Sequence, residues 1–254
     1  MIIFHYDKTF EGLLTAVFDA YNRKTFPDKL LGLEELEPLF VDESYTVVTD
    51  EEKSGRVWKG LAKKLSPITR NMLSYVWMSE LAGSDELIFR YIRKALDSKH
   101  SIEMNFADDD VLQMRNVAQK VNKEKCRLIE LVRFQKAADD IFFAPVSPYH
   151  NSLPLTLEHF TDRFADQKWI IYDTKRNYGY YYDMKTVTEM TLDSNDLFPE
   201  GKLDEKRMAE DEKLFQELWK GYFKSMTIKE RINLKLQRQH MPQRYWKYLT
   251  EKQE

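Results

Sequence analysis

The sequence holds one cysteine, Cys126, in 254 residues. A lone thiol forbids an intrachain disulfide, an iron–sulfur cluster held by the chain's own cysteines, and a structural zinc site of the multi-cysteine type. Beside a predicted strand, Cys126 reads as a small buried side chain and not as a nucleophile. Glycine is scarce at 8 residues while aromatics reach 13%, a balance that speaks against a disordered chain. No apolar run approaches the roughly 18 residues that a membrane-spanning helix requires. The opening "MIIFHYDKTFEG" turns acidic too soon after its apolar start to read as a signal peptide. A cytoplasmic protein without a membrane partner is expected. There is no large excess of either charge: the formal net charge is -3, so nucleic-acid binding would need a local basic patch. Also missing are the P-loop, the dinucleotide-binding G-x-G-x-x-G, the zinc-protease H-E-x-x-H and the G-x-S-x-G nucleophile elbow.

What is present describes a soluble globular chain, 43% hydrophobic and 32% charged, long enough to bury a sizeable core. A single domain, 1–254, is expected. "MIIFHYD" alternates like a strand, with His5 and Asp7 on one face. Phe10, Leu13, Leu14, Val17, Phe18 and Tyr21 then follow helical spacing behind Thr9 as N-cap. Gly12 falls inside that helix, costing about 1 kcal/mol relative to Ala unless close packing requires it. "LEPLF" and "SYTVVT" are strand candidates, Asp50 caps a following helix, and Pro67 starts another. Helical patterns cover about 84–99 and 107–123. The middle reads as β: "CRLIELVRF" and "IFFAPVS" flank the turn "QKAADD". After a helix started by Pro154 come "KWIIYD" and "GYYYDMKTVTEMTL" around "TKRNYG". The order predicts an α+β fold with an antiparallel-rich sheet, made of the N-terminal strand and strands in 126–192 and surrounded by about seven helices. A helical C-terminal segment, about 203–254, is expected to pack on that body.

Three segments carry a resemblance over nearly the whole chain: "FHYDKTFEGLLTAVFDAY", "HFTDRFADQKWIIYDTKRNYG" and "QHMPQRYWKYLTE". In this order they resemble a bacterial family assigned to DNA metabolism or repair. That family is found as the partner of a radical-SAM protein, itself proposed to modify or repair DNA and carrying a helix-hairpin-helix motif. The resemblance implies an accessory role in DNA metabolism beside that partner. It supplies no catalytic residue to carry over. The chain lacks the C-x-x-x-C-x-x-C of a radical-SAM enzyme, so the resemblance implies that radical chemistry belongs to the partner and that this chain holds no cofactor of its own.

The residues suggest two candidate surfaces. Around the middle segment, His159 and Arg163 lie at i, i+4 on the helix, and Asp173 ends an apolar strand face where "TKRNYG" turns. As a functional cluster, His159 and Asp173 would form an acid–base pair, while Arg163, Arg176 and Tyr178 would hold a phosphate or base. As plain structure, Asp173 and Arg176 form a turn ion pair and His159 is a boundary residue. His5 and Asp7 could join a His/Asp metal set, but Asp7 is more simply a capping residue, and no metal is expected. In "RLIELVRF", Glu130 and Arg133 sit among core-facing positions, so one of them should meet an opposite charge. The second surface is C-terminal: seven Lys/Arg and a single acid, Glu230, lie between Lys224 and Lys247. There Lys235, Arg238 and Arg244 are the candidate phosphate contacts, beside Tyr245 and Trp246. The functional reading is an accessory protein binding nucleic acid, the radical-SAM partner, or both. The alternatives are an enzyme acting on a nucleobase or phosphodiester, and a substrate-free structural adaptor.

Overall fold

The computed structural model describes residues 1–192, 203 and 207–253. Residues 204–206 and 254 of the expected C-terminal helical segment lie outside the described residues. The fold is α+β, as expected. The chain falls into two compact units, Met1–Asn122 and Lys123–Glu254.

In the first unit, β1 (Ile2–Tyr6) is the centre of a three-stranded sheet between β2 (Lys29–Gly32) and β3 (Glu43–Thr46), with both pairings parallel. A central parallel strand is covered on both sides, which explains why Ile3, Phe4 and Tyr6 are all fully buried despite pointing to opposite faces. The N-terminal strand therefore belongs to its own parallel sheet and does not join the strands of 126–192. Four helices surround it: α1 (Phe10–Arg23), α2 (Glu51–Lys64), α3 (Pro67–Trp77) and α4 (Ser84–Asp97). The expected caps are in place. Thr9 accepts from the Gly12 amide at 2.9 Å and Asp50 from that of Lys53 at 3.0 Å. Gly12 is required by close approach. A Cβ there would fall 2.2 Å from Asp7 Oδ1 and 2.8 Å from Thr49 Oγ1. "LEPLF" forms no strand: Pro38 has no amide to donate to a ladder, and Leu36, Leu39 and Phe40 stand in solvent.

The helix α5 (Asp109–Leu131) contributes Val111, Met114, Val117 and Ala118 to the first core and Leu128 and Leu131 to the second. This corrects the reading of "CRLIELVRF" as a strand. Its residues fit period 2 in isolation, but they continue a helix already in phase from Asp109. Extending a formed helix is far easier than nucleating a new element. Cys126 is accordingly exposed on this helix, not buried beside a strand. The alternation that placed Glu130 with Leu128 does not exist. Arg133 nevertheless meets its opposite charge, with Nη2 lying 2.8 Å from the buried carboxylate of Glu251.

The second unit carries a five-stranded mixed sheet in sequence order: β4 (Gln135–Lys136), β5 (Phe142–Val146), β6 (Trp169–Asp173), β7 (Tyr178–Tyr182) and β8 (Val187–Met190). The expected hairpin is displaced: its first strand is not "CRLIELVRF" but Gln135–Lys136, inside the expected turn "QKAADD", and it pairs antiparallel with β5, while β6, β7 and β8 form an antiparallel meander. Only β5 and β6 are parallel, because a 3₁₀ turn at Pro154–Thr156 and α6 (Leu157–Arg163) cross between them. Phe160 and Trp169 are buried in this core, and Phe134 meets Phe160 and Phe164 edge-on at 5.9 and 5.0 Å. α7 (Glu212–Met226) and α8 (Leu234–His240) follow, and then a 3₁₀ stretch, Gln243–Tyr248, which seats Tyr245 in the same core.

Gly179 on β7 faces Tyr172 of β6. A Cβ there would lie 2.5 Å from the Ile171 carbonyl and 2.9 Å from Tyr172 Cα, backbone atoms that cannot swing aside. Gly179→Ala is expected to destabilise the protein by about 1–3 kcal/mol, the usual cost of overpacking. Urea denaturation measures it, and unchanged stability would contradict this packing.

Candidate functional site

The turn after β6 and the loop after β5 meet in the second unit. Asp173, at the end of β6, is fully buried. Its Oδ1 accepts from the Lys175 and Arg176 amides at 2.9 and 3.3 Å, and Arg176 Nη1 lies 2.7 Å from Oδ2. The local sequence explains this: Asp, two residues before Lys175, offers the turn amides an acceptor, and Asn177 takes the positive φ of 57° that closes the turn. Arg176 also donates to the carbonyls of Pro148 (3.3 Å) and Tyr149 (3.0 Å), and Lys175 Nζ to that of Tyr149 at 2.9 Å.

A second buried carboxylate holds the same loop from the other side. Glu124 on α5 is 2% exposed. It accepts from the Tyr149 amide at 2.9 Å and the Tyr245 hydroxyl at 2.8 Å, and it pairs with Arg244. Arg127 stands 3.8 Å away. The Arg244 guanidinium lies over two rings, 4.0 Å from the centroid of Tyr149 and 4.7 Å from that of Tyr245. Burial pushes the Tyr245 phenol well above its ordinary range, and the Glu124 charge adds to the effect. The result is a loop pinned by two charge networks, while Tyr149 as a residue remains 62% exposed.

Tyr178 joins the first network, its hydroxyl donating to Asn151 Oδ1. Burial raises its pKa, with Tyr180 and the Asp173 charge adding to the rise. Tyr180, bonded to Glu189 at 3.2 Å, is pushed up to about 12, mainly by burial. Asp173, Arg176 and Tyr178 are thus brought together. His159 and Arg163 are exposed on α6, and among the described residues no hydrogen bond or ion pair links either to Asp173. The contact found for His159 is an edge-on one with Phe160 at 5.4 Å. Lys235 and Arg238 are exposed on α8, whereas Arg244 is committed to Glu124.

His5 and Asp7 are occupied within the first unit. His5 Nε2 lies 2.8 Å from Glu37 Oε1 and Nδ1 lies 3.0 Å from the Gly32 carbonyl, while Asp7 accepts from Thr9 and Thr49. Among the described residues, no group of three or more His, Cys, Asp and Glu side chains is placed to hold a metal.

Glu124, Tyr149 and Arg127 are the site residues that sequence reading missed. Glu124 is one of many acids on a helix, and its partner lies 120 residues further on. The buried spacing Val117, Val121, Glu124, Leu128 was the available signal.

Residues 82–251 match the family described as a domain of unknown function, DUF4130. The chain belongs to that family. No curated protein matches it. Among solved structures, the pGpG-specific phosphodiesterase PggH from Vibrio cholerae aligns over 77% of this chain and 94% of its own, with 9% identity and a TM-score of 0.38. Likeness at that level carries no functional argument. Among the described residues, no helix of this family member is long and apolar enough to cross a membrane.

Asp173→Asn removes the charge opposite a mostly buried guanidinium, so a stability loss of about 3–5 kcal/mol is expected in denaturant titration; a shift within 1 kcal/mol would mean the pair is not structural. For His5, burial lowers the pKa, but the Gly32 carbonyl and Glu37 outweigh it and the pKa is raised. A raised folded pKa stabilises fully below the ordinary histidine value, and this contribution disappears as pH rises through the folded value. Wild type should lose stability over that window, and Glu37→Gln should flatten the loss; parallel profiles would refute the assignment.

Proposed function

We propose that this protein is an accessory factor of DNA metabolism that binds nucleic acid through its C-terminal unit and works beside a radical-SAM partner. The partner and the pathway come from the resemblance of the three sequence segments. The binding surface rests on one observation: Tyr149 presents an exposed ring on a loop that two buried ion-pair networks hold rigid, with Arg244 against the ring and Lys175 on the backbone carbonyl. An exposed aromatic fixed among cations is a stacking platform for an unpaired base, and neighbouring positive charge suits the phosphate strand. Lys235 and Arg238, both exposed on α8, are the further candidate phosphate contacts. Arg163 and His159, exposed on α6, would add contacts at the margin, and Arg176, Tyr178 and Arg244 position the loop. Stacking on one ring favours single strands, whose bases are open, over duplex.

The test is fluorescence anisotropy with labelled single-stranded and duplex DNA of equal length at two salt concentrations. Tyr149→Ala is expected to weaken single-strand binding roughly 5- to 150-fold, the worth of one stacked base. Replacing Lys235 and Arg238 by Ala together should lower the salt slope by up to about two phosphate contacts. Folded Tyr149→Ala protein with wild-type affinity would overturn the platform. Wild-type protein without measurable affinity for either DNA would overturn the function.

A further inference from the structure

One side of α7 is docked on its own unit: Trp219 Nε1 donates to Glu251 at 2.9 Å and Lys252 lies over the Phe223 ring at 5.7 Å. Its other side is apolar and uncovered. Leu214, Leu218 and Tyr222 recur every fourth residue and are 57%, 58% and 55% exposed. The stripe runs on through Met226, Ile228 and Ile232, all more than half exposed, which border a shallow groove. A monomeric soluble protein rarely leaves such a stretch open. It is also basic. Residues 213–231 hold five Lys/Arg against the two acids Glu217 and Glu230.

The first unit carries the complementary surface. The segment 33–42, "LEELEPLFVD", forms no helix or strand. Leu36, Leu39 and Phe40 are 93%, 95% and 86% exposed, among four acids and no Lys or Arg. Of these acids Glu35 faces Lys8 at 3.4 Å, Glu37 binds His5 and Asp42 holds the chain's first amine, which leaves Glu34 and the outward side of Glu35 as the charge on offer. We infer that the apolar stripe of α7 docks the 33–42 segment of a second copy of this chain. Pairing α7 with α7 of another copy would bring basic faces together, whereas the acidic segment supplies both the apolar side chains and the opposite charge. Pro38 disfavours a helical form, so the segment would dock extended.

Sedimentation velocity on the full chain over a range of concentrations tests this. Self-association is expected, weaker at high salt. It should fall at least tenfold when Leu36, Leu39 and Phe40 are changed together to Ser, and equally when Leu214, Leu218 and Tyr222 are. All these side chains are solvent-exposed, so circular dichroism and melting should stay unchanged. Charge reversal gives a sharper test. Glu34→Lys/Glu35→Lys and Lys220→Glu/Lys224→Glu should each fail to self-associate, because segment and face then carry the same sign. Mixing the two should restore association. A monomer at every concentration overturns the proposal, as does an oligomer indifferent to the 33–42 changes, which would indicate α7–α7 pairing. A monomer that binds phosphatidylserine vesicles through α7 would assign the stripe to a lipid surface instead.

Discussion

The C-terminal unit depends on the neutralisation of two buried carboxylates, Glu124 and Asp173. Each is almost completely removed from water, and a charge in that position is tolerated only when paired and hydrogen-bonded. The two acids solve the problem with the same loop. Asp173 fixes Arg176, which holds the carbonyls of Pro148 and Tyr149, and Glu124 holds the Tyr149 amide and Arg244. Backbone groups that would otherwise need water are thereby satisfied. The loop between β5 and the Pro154 turn is consequently an ordered part of the fold, although it has no regular structure of its own.

What could be read from the sequence was mostly local. Thr9 and Asp50 announce helix starts because a cap needs only the next three residues, and Pro67 announces another by its fixed φ. The Asp173–Arg176 pair was legible for the same reason, lying three residues apart in a turn. The strand β2 was missed because "KLLG" is too short to show a period. The 126–134 stretch misled because period 2 and period 3.6 agree over so few residues, and the deciding context was the helix upstream. The Glu124–Arg244 contact joins α5 to the C-terminal stretch, and no local rule reaches that far. Arg244 thus read as an exposed cation in a basic run, whereas in the structure it is half-buried and paired with Glu124.

The candidate acid–base pair fares differently from the candidate phosphate contacts. His159 lies outside the network that Asp173 organises, and the oxygens of Asp173 already accept from amides and a guanidinium. A general base has to be within hydrogen-bond reach of the proton it takes, and Asp173 has no exposed surface to offer one. What the site does offer is rigidity beneath an exposed ring. Rigid aromatic side chains lose little conformational freedom on contact, so binding through Tyr149 would keep most of its stacking energy.

This division separates residues that carry the fold from residues free to carry function. Arg244, Arg176, Asp173 and Glu124 are interlocked, so substituting any of them changes the loop and the ring it presents together, and a loss of binding there could not be assigned to a lost contact. Lys235 and Arg238 stand outside these networks, as do Leu36, Leu39 and Phe40 in the first unit, while the Tyr149 ring touches them through the Arg244 guanidinium on one face. Exposed side chains without internal partners usually contribute within about 0.5 kcal/mol to stability. Single exposed apolar side chains are ordinary, but contiguous stretches of them are uncommon on a monomeric soluble protein and mark surfaces that other molecules cover. The basic stripe on α7 and the acidic segment at 33–42 have opposite charge and matching apolar character, so the same sequence that leaves both exposed also supplies each with a counterpart.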